Sequence, residues 1–321
     1  MASYLAESTY GKDKVRVFRV VREDKVHHIV EYNVQVLLEG ELDTSYTQAD
    51  NGVVVATDSI KNITYYLAKI SPHVLSAERF GLHLATHLVS KYAHIRKALV
   101  TIEQLRWTRI AVDGKPHDHS FLRDGEEKRV VKVQVDASRG KDQLVGSVSA
   151  GINDLLVLKT TGSAFEGFIR DEYTTLPQVD DRIFSTSVDV LYTFAPFEIT
   201  APSDEKRLEF DEKQIQAPGR LGAWEGLKVS ESAREITLSV FATDESASVQ
   251  ATLYKMGQRL ISQNGAVNRA TYTLPNKHYI PVDLKFIGID NTSPALAEVF
   301  APVSAPSGLI AATVARVGAS C

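Results

Sequence analysis

The order of predicted secondary-structure elements occurs twice along the chain, and this constrains the fold more than any other feature. Each half contains strand, strand, helix, helix, strand and strand. In the first half these are a hairpin over 14–38, helices over 59–70 and 77–94, and strands over 98–112 and 129–136. In the second half they are strands over 154–160 and 183–194, helices over 228–243 and 246–262, and strands over 267–275 and 279–287. The order predicts an α+β fold in which two helices cover one face of each antiparallel sheet.

Two similar units are therefore predicted, over 1–140 and 141–321, from element order and without a residue-level repeat. A four-stranded sheet has two open edges, which must be paired, covered or charged. Pairing between chains satisfies this requirement, so we expect the protein to form oligomers. Near the first helix, a polar strand is expected to reach Gly52, and Asp58 or Ser59 is expected to cap the helix.

Composition excludes several classes of protein. Hydrophobic residues make up 44% of the 321 residues and charged residues 24%, which is typical of a folded soluble protein. The net charge of −4, from 36 basic and 40 acidic residues, argues against a nucleic-acid partner. The single cysteine, Cys321, excludes an intrachain disulfide and a cysteine-ligated metal. Neither a membrane span nor a secretion signal is expected, since no long apolar run occurs.

The common cofactor motifs are missing: there is no GxxxxGK[ST] loop, no GxGxxG after a strand, no HExxH and no CxxC. Nucleoside triphosphates and nicotinamide cofactors are therefore not indicated. The best metal candidate is His117 with His119, because side chains at i and i+2 of a strand share a face. A third ligand is not evident, and surface histidines near a turn are the more ordinary interpretation.

Two further short patterns place polar groups where a ligand can meet them. Thr57 and Asp58 stand where a strand gives way to a helix, so backbone N–H groups and a hydroxyl are available there. Asn276 and His278 follow Pro275 at i, i+2 spacing within a strand pattern, and their side chains should share a face. Taken singly, the first pattern is better explained by a helix cap and the second by an ordinary strand.

Seven short sequence runs, taken together, relate these patterns to one protein family. They are YGKD (10–13), VATDSIKN (55–62), DGKPHDHSF (113–121), FIRDEYTTL (168–176), SVQAT (248–252), LPNKHY (274–279) and PSGLI (306–310). In this order the runs resemble the urate oxidase (uricase) family, and the resemblance covers nearly the whole chain. It implies the tunnelling fold (T-fold): tandem units whose sheets join between subunits into β-barrels, in a homotetramer that encloses a tunnel. It also implies an active site at a subunit interface, with Thr57 and its neighbours from one chain and the main urate-binding residues from another.

The resemblance assigns substrate-binding roles to several residues. Phe165 matches the aromatic residue that stacks on the purine ring, and Arg182 and Gln250 match the pair that holds urate from both sides. The backbone of Val249 and the backbone N–H of Asp58 complete the recognition. The ordinary alternatives are a core aromatic at Phe165 and, for Arg182, a salt bridge with Asp180 or Asp181.

For the reaction, Lys12, Thr57 and His278 match the family's proton-relay residues, and Asn276, with Thr57, matches the site that holds oxygen or water. No cofactor and no metal are implied, because urate itself supplies the electrons to oxygen. Recombination with oxygen at C5 gives a hydroperoxide, and loss of hydrogen peroxide with uptake of water gives 5-hydroxyisourate.

Some features differ from the family pattern. Glu166 follows Phe165 where some relatives carry an aromatic residue, and 200–226 is expected to be a variable surface connection. The resemblance implies a peroxisomal location if the source is eukaryotic and a cytoplasmic one otherwise. The end of the given sequence, 319–321, differs from this expectation, because it is not a standard peroxisomal signal. Two alternative functions stay open: a tunnelling-fold pterin or purine hydrolase with zinc at His117 and His119, and a purine-binding relative without activity.

Overall fold

In the computed structural model, which describes residues 3–199 and 226–318, ten strands form one antiparallel sheet and five α-helices accompany it. The strands are β1 (Tyr10–Glu23), β2 (Val26–Gly40), β3 (Ile95–Val112), β4 (Lys115–Asp136), β5 (Leu144–Lys159), β6 (Phe184–Phe194), β7 (Phe197–Ile199), β8 (Val267–Pro281), β9 (Phe300–Val303) and β10 (Leu309–Ala315). The helices are α1 (Asp43–Thr47), α2 (Thr57–Ile70), α3 (Ala77–Lys91), α4 (Gly226–Thr243) and α5 (Val249–Gln263). The α+β class is thereby confirmed.

The sheet runs without a break through both halves of the chain, in the order β1-β2-β3-β4-β5-β6-β8-β10. Strand β7 pairs with β5, and β9 pairs with the end of β8. The halves are joined by β4 and β5, which pair from Lys128 opposite Asn153 to Asp136 opposite Val145. In the described chain β1 and β10 are consequently the two ends of the main strand order.

The core lies between the sheet and the longer helices, because each strand alternates apolar and polar residues. In β2, for example, Tyr32, Val34 and Val36 are fully buried, while the residues between them face the other side of the sheet. Helix α3 buries Phe80 and Leu84 against this layer, as its predicted apolar face requires. The Tyr32 and Phe80 rings stack with centroids 5.8 Å apart. Among the described residues, no helix is long and apolar enough to cross a bilayer.

One ion pair is buried where the two halves meet. The Glu78 carboxylate of α3 is fully buried and bonds the Arg129 guanidinium of β4, whose side chain is 12% exposed. A Cβ on Gly226, the first residue of α4, would lie 2.9 Å from the Glu78 carboxyl, so α4 begins directly against this pair. The pair therefore links α3, β4 and the start of α4.

Five predictions about the elements were wrong in detail. The strand predicted over 129–136 begins at Lys115, because its pairing with β3 continues up to the turn. The polar strand up to Gly52 is instead α1 and a short 3-10 helix, because Asp50 accepts a hydrogen bond from the Gly52 N–H and closes a turn. Helix α2 begins at Thr57, so its N-cap residue is Ala56, which has no polar side chain; Asp58 lies within the first turn, and its carboxylate accepts from Lys61 and Asn62. Strand β5 begins ten residues before its predicted start; a bulge lies between Ile152 and Leu155, so the strand's single alternation is interrupted there.

The last predicted strand, over 279–287, was also wrong. Strand β8 continues to Pro281, a 3-10 helix occupies Lys285–Ile287, and the edge strand is β10.

Two regions with predictions lie outside the described residues. They are the connection 200–226, apart from its last residue, and Cys321. The division of the chain at 140 and 141 falls between β4 and β5 and stays a prediction.

Candidate functional site

The segment between β5 and β6 brings Phe165 and Arg182 together. The Arg182 Cζ lies 5.2 Å from the centroid of the Phe165 ring. The Phe165 ring is also stacked on Phe168, with centroids 4.8 Å apart and planes 12° from parallel, and the Arg170 Cζ lies 5.5 Å from the Phe168 ring. The Phe165 ring is half-buried and stacks on Phe168, so it is held in place while part of it stays exposed, as a platform for a flat ligand requires.

The Arg182 guanidinium is half-buried without an anionic partner. Burial lowers its pKa, and in the described part of the chain no carboxylate pairs with it. Asp181 instead accepts hydrogen bonds from the Thr161 hydroxyl at 2.5 Å and the Gly162 N–H at 2.7 Å. The salt-bridge alternative for Arg182 is therefore wrong, and the guanidinium is available to an anion that arrives from outside the chain.

Backbone pairing holds the start of α5 beside this platform. The Ser246 N–H donates to the Gly162 carbonyl at 3.0 Å, and the Ala164 N–H donates to the Ser246 carbonyl at 2.9 Å. The Ser248 hydroxyl then caps α5 by accepting from the Ala251 N–H. The next two residues, at 249 and 250, are the first of α5; the valine is buried and the glutamine side chain is exposed.

Asn276 and His278 both lie on β8, as predicted, and β8 is the neighbour of β6. Ser185 of β6 pairs with Lys277, so β6 places the preceding Arg182 at the same end of β8 as His278. The Asn276 N–H donates to the Gly308 carbonyl at 2.8 Å. Its side-chain Oδ1 is buried without a hydrogen-bond donor among the described residues. A buried amide oxygen of this kind is stabilised by any ligand that brings a donor.

A separate group forms in the first half of the chain. The Tyr10 hydroxyl accepts from the Val55 N–H at 2.7 Å and donates to the Val55 carbonyl at 3.2 Å, so β1 is fixed to the residues before α2. Lys12 follows Tyr10 on β1, and Thr57 and Asp58 begin α2. The Lys61 ammonium lowers the pKa of the Asp58 carboxyl most, and Lys12 adds a smaller electrostatic contribution, which places Lys12 near the start of α2.

The structure does not bring these two groups together within one chain. Lys12 lies on β1 and His278 on β8, six strands along the sheet. Neighbouring strands are about 4.8 Å apart, so the path across the sheet is about 29 Å. A lysine side chain reaches only a small part of this path. Among the described residues, no hydrogen bond, ion pair or ring contact joins the two groups. The predicted site residues thus fall into a first half-site (Lys12, Thr57 and Asp58) and a second half-site (Phe165, Arg182, Gln250, Asn276 and His278), with five strands between β1 and β8.

Two contributors to the second half-site, Phe168 and Asp181, were not predicted as site residues from the sequence. The pairing of the Phe165 and Phe168 rings depends on how the segment between β5 and β6 turns back on itself. An aromatic residue three positions after Phe165 was the available signal. For Asp181, adjacency to Arg182 indicated a salt bridge between these two residues, whereas its carboxylate is bonded to Thr161 and Gly162.

Comparison with known proteins decides the family. The family model described as Uricase matches residues 8–134 and 148–311, which is most of the chain. The chain belongs to the uricase family. It is 48% identical to the uricase of Emericella nidulans over 317 residues, with 98% of both proteins covered. It is 46% identical to the uricase of Aspergillus flavus, covering 98% of this chain and 97% of that protein.

Solved uricase structures agree with this membership. The crystal structure of uricase from Arthrobacter globiformis matches with a TM-score of 0.83 at 32% identity, covering 100% of this chain and 98% of that one. Urate oxidase from Bacillus sp. TB-90 shares the fold with a TM-score of 0.77 at 24% identity. The resemblance to uricases and the tunnelling-fold class are therefore confirmed. The individual site residues stay predictions.

The histidines near the β3–β4 turn do not match the zinc alternative. The His117 and His119 rings are 4.6 Å apart, and the His27 ring is 5.7 Å from His119. Within residues 3–199 and 226–318, no three His, Cys, Asp or Glu side chains are grouped so that they hold a metal ion. Since the relatives are uricases, a zinc-dependent hydrolase is not favoured for this chain.

Proposed function

We propose that the chain oxidises urate with molecular oxygen and water to 5-hydroxyisourate and hydrogen peroxide, without a bound cofactor. The observation that carries the proposal is the half-buried Arg182 guanidinium, which faces the Phe165 ring at 5.2 Å and has no carboxylate partner in the described chain. A planar cation beside an aromatic face suits a flat, anionic heterocycle. Membership of the uricase family supports urate as that heterocycle.

Urate recognition uses the second half-site and the start of α2. Phe165 stacks on the purine ring, and the Arg182 guanidinium donates two parallel hydrogen bonds to adjacent acceptors of the urate anion. Gln250 holds the opposite edge of the ring, since an amide both donates and accepts. The backbone at Val249 and the Asp58 N–H of α2 complete the set. These backbone groups belong to the first turns of helices, where N–H groups favour negative charge.

Proton transfer uses the first half-site together with His278. Urate must lose protons before it is electron-rich enough to reduce oxygen. Lys12 removes a proton through the Thr57 hydroxyl, and His278 exchanges protons with the water that enters. Asn276 holds oxygen, and later water, above the ring. The substrate loses two electrons and oxygen gains them, so one urate, one O₂ and one water give one 5-hydroxyisourate and one hydrogen peroxide.

Such a site requires two copies of the chain. Lys12, Thr57 and Asp58 come from one copy, and Phe165, Arg182, Gln250, Asn276 and His278 come from another. The five strands that lie between β1 and β8 in the sheet support this arrangement. The edge strands β1 and β10 supply backbone groups for pairing between copies. We therefore propose a homotetramer built from tunnelling-fold units at 1–140 and 141–321, located in peroxisomes if the source is eukaryotic.

A direct assay tests the activity. Purified protein is mixed with urate in a chelator, and the ultraviolet absorbance of urate, oxygen uptake and peroxide release are followed together. Equal amounts of oxygen consumed and peroxide formed support the proposal. Turnover that requires stoichiometric zinc would favour the hydrolase instead, and urate binding without any turnover would favour a purine-binding relative.

Replacement of Arg182 by alanine is expected to raise KM for urate about 10- to 100-fold, because hydrogen bonds to a charged group contribute about 1.5–3 kcal/mol. Steady-state kinetics measure the effect, and kcat should change less than KM. Arg182→Lys is the matched variant, since it keeps the charge but loses the planar pair of donors. Its KM should lie between those of the wild type and Arg182→Ala. An unchanged KM in Arg182→Ala would contradict the assigned role.

A further inference from the structure

The Asp181 side chain closes the segment that carries both Phe165 and Arg182. Its Oδ2 accepts from the Thr161 hydroxyl at 2.5 Å, and its Oδ1 accepts from the N–H groups of Gly162 at 2.7 Å and Ser163 at 3.3 Å. The Arg182 N–H adds a bond to the Ser163 carbonyl at 2.9 Å. The start of the segment, at 161–163, is therefore bonded side by side with its end, at 181 and 182.

This closure fixes the spacing between the ring and the guanidinium. Ser163 precedes Phe165 by two residues, and Asp181 directly precedes Arg182. A second tie lies between them, because Phe165 and Val179 exchange backbone hydrogen bonds of 2.8 and 3.2 Å. The two ties together hold the backbone that carries Phe165 and Arg182. A change in this closure consequently changes the 5.2 Å contact between Phe165 and Arg182.

The same bonds keep the Asp181 charge away from Arg182. The Thr161 hydroxyl and the surrounding backbone N–H groups lower the pKa of Asp181, so the group is ionised at neutral pH. Its two oxygens are already bonded to three donors. A carboxylate adjacent in sequence therefore leaves the guanidinium unneutralised, and an incoming anion meets an intact positive charge.

We propose that Asp181 is a positioning residue for urate recognition, which sets the Phe165–Arg182 spacing through 161–163 without touching the substrate. The inference rests on the proposed function, because it concerns how that site binds its ligand. Asp181 acts on binding rather than on proton transfer, so its removal should change KM and leave kcat nearly intact.

The test compares two neighbouring aspartates. Asp181→Ala is expected to raise KM for urate about tenfold with kcat within about twofold, since a misplaced positioning group weakens binding of a correctly oriented substrate. Asp180→Ala is the control: the Asp180 side chain is exposed and forms no hydrogen bond or ion pair in the described chain, so its KM should not change. Asp181→Asn keeps an acceptor for the two N–H groups, and its KM should lie between those of the wild type and Asp181→Ala.

A second readout does not depend on activity. Amide hydrogen exchange at 162 and 163 should be faster in Asp181→Ala than in the wild type or Asp180→Ala, because the acceptor of these N–H groups is removed. In an Arg182→Ala background, the added effect of Asp181→Ala on KM should shrink to about twofold or less, since the two residues act through one contact. Thr161→Val removes one donor at an exposed position; it should raise KM about twofold even if Asp181→Ala does not fold.

Faster amide exchange at 162 and 163 in Asp181→Ala, with KM for urate unchanged, would overturn the inference. A double variant whose increase in KM equals the product of the increases in Asp181→Ala and Arg182→Ala would also overturn it. Unchanged exchange at 162 and 163 in Asp181→Ala would also overturn it. Failure of the proposed function gives a different result: the wild-type chain would not oxidise urate, whatever the exchange rates of the variants.

Discussion

Replacement of Lys12 by methionine is expected to lower kcat for urate oxidation by at least about 100-fold, because a positioned base contributes about 10²- to 10⁴-fold to such a step. Methionine has an unbranched side chain of similar length and lacks the ammonium group. KM should change much less, since Phe165, Arg182 and Gln250 remain in place. Pre-steady-state and steady-state kinetics at saturating urate measure the effect.

The matched control for Lys12 is Lys14. It lies two residues further along β1, is exposed, and has a φ of 55° beside the register shift between Lys12 and Val15. Lys14→Met removes the same charge from the same strand, so it separates the role of Lys12 from a change in net charge. Lys14→Met should keep the wild-type kcat. A full-rate Lys12→Met enzyme would refute the proton-transfer role.

Replacement of Arg129 by methionine is expected to destabilise the protein by about 3–5 kcal/mol, because a buried carboxylate is left without its partner. Glu78 is fully buried, and the pair lies where α3, β4 and the start of α4 meet. The loss should therefore affect both halves of the chain in one transition. Thermal and denaturant unfolding at fixed protein concentration measure it.

The control for the ion pair removes both charges. Glu78→Gln combined with Arg129→Met should be less destabilised than Arg129→Met alone, since no unpaired charge remains in the core. An Arg129→Met protein as stable as the wild type would show that the pair contributes little to the fold. A double variant less stable than the single one would point to lost packing of the arginine side chain instead.

Elements with strong local periodicity were predicted well from the sequence. Helix α3 and the β1–β2 hairpin each bury one regular face, and both occur where their patterns place them. Strand β10 was not predicted, because Leu309–Ala315 becomes a strand only through pairing with β8, which is about 40 residues away along the chain. Strand β5 was predicted too short because its bulge divides one strand into two patterns.

For the candidate site too, short sequence patterns predicted individual residues, whereas interactions between residues far apart in the sequence were not predicted. Short runs predicted Lys12, Thr57, Asn276 and His278 as site residues, and a strand pattern placed Asn276 and His278 on one element; the element that carries Lys12 was not predicted, since β1 begins at Tyr10 and the predicted hairpin began at 14. Their separation into two half-sites follows from the strand order, which no local pattern specifies. The interaction of Asp181 with 161–163 depends on a segment that closes over 18 residues, so sequence adjacency to Arg182 misassigned it.

The most direct test of a site shared between two copies is complementation. Lys12→Met and Arg182→Ala chains are co-expressed with different tags, and mixed assemblies that carry both tags are purified. With random pairing, about one quarter of the sites combine an intact Lys12 with an intact Arg182 from the neighbouring copy. Selection for both tags removes the tetramers made of a single variant, so the mixed assemblies should recover slightly more than about one quarter of the wild-type kcat/KM for urate, far above either parent. Activity no higher than that of the parents would contradict a site built across two chains.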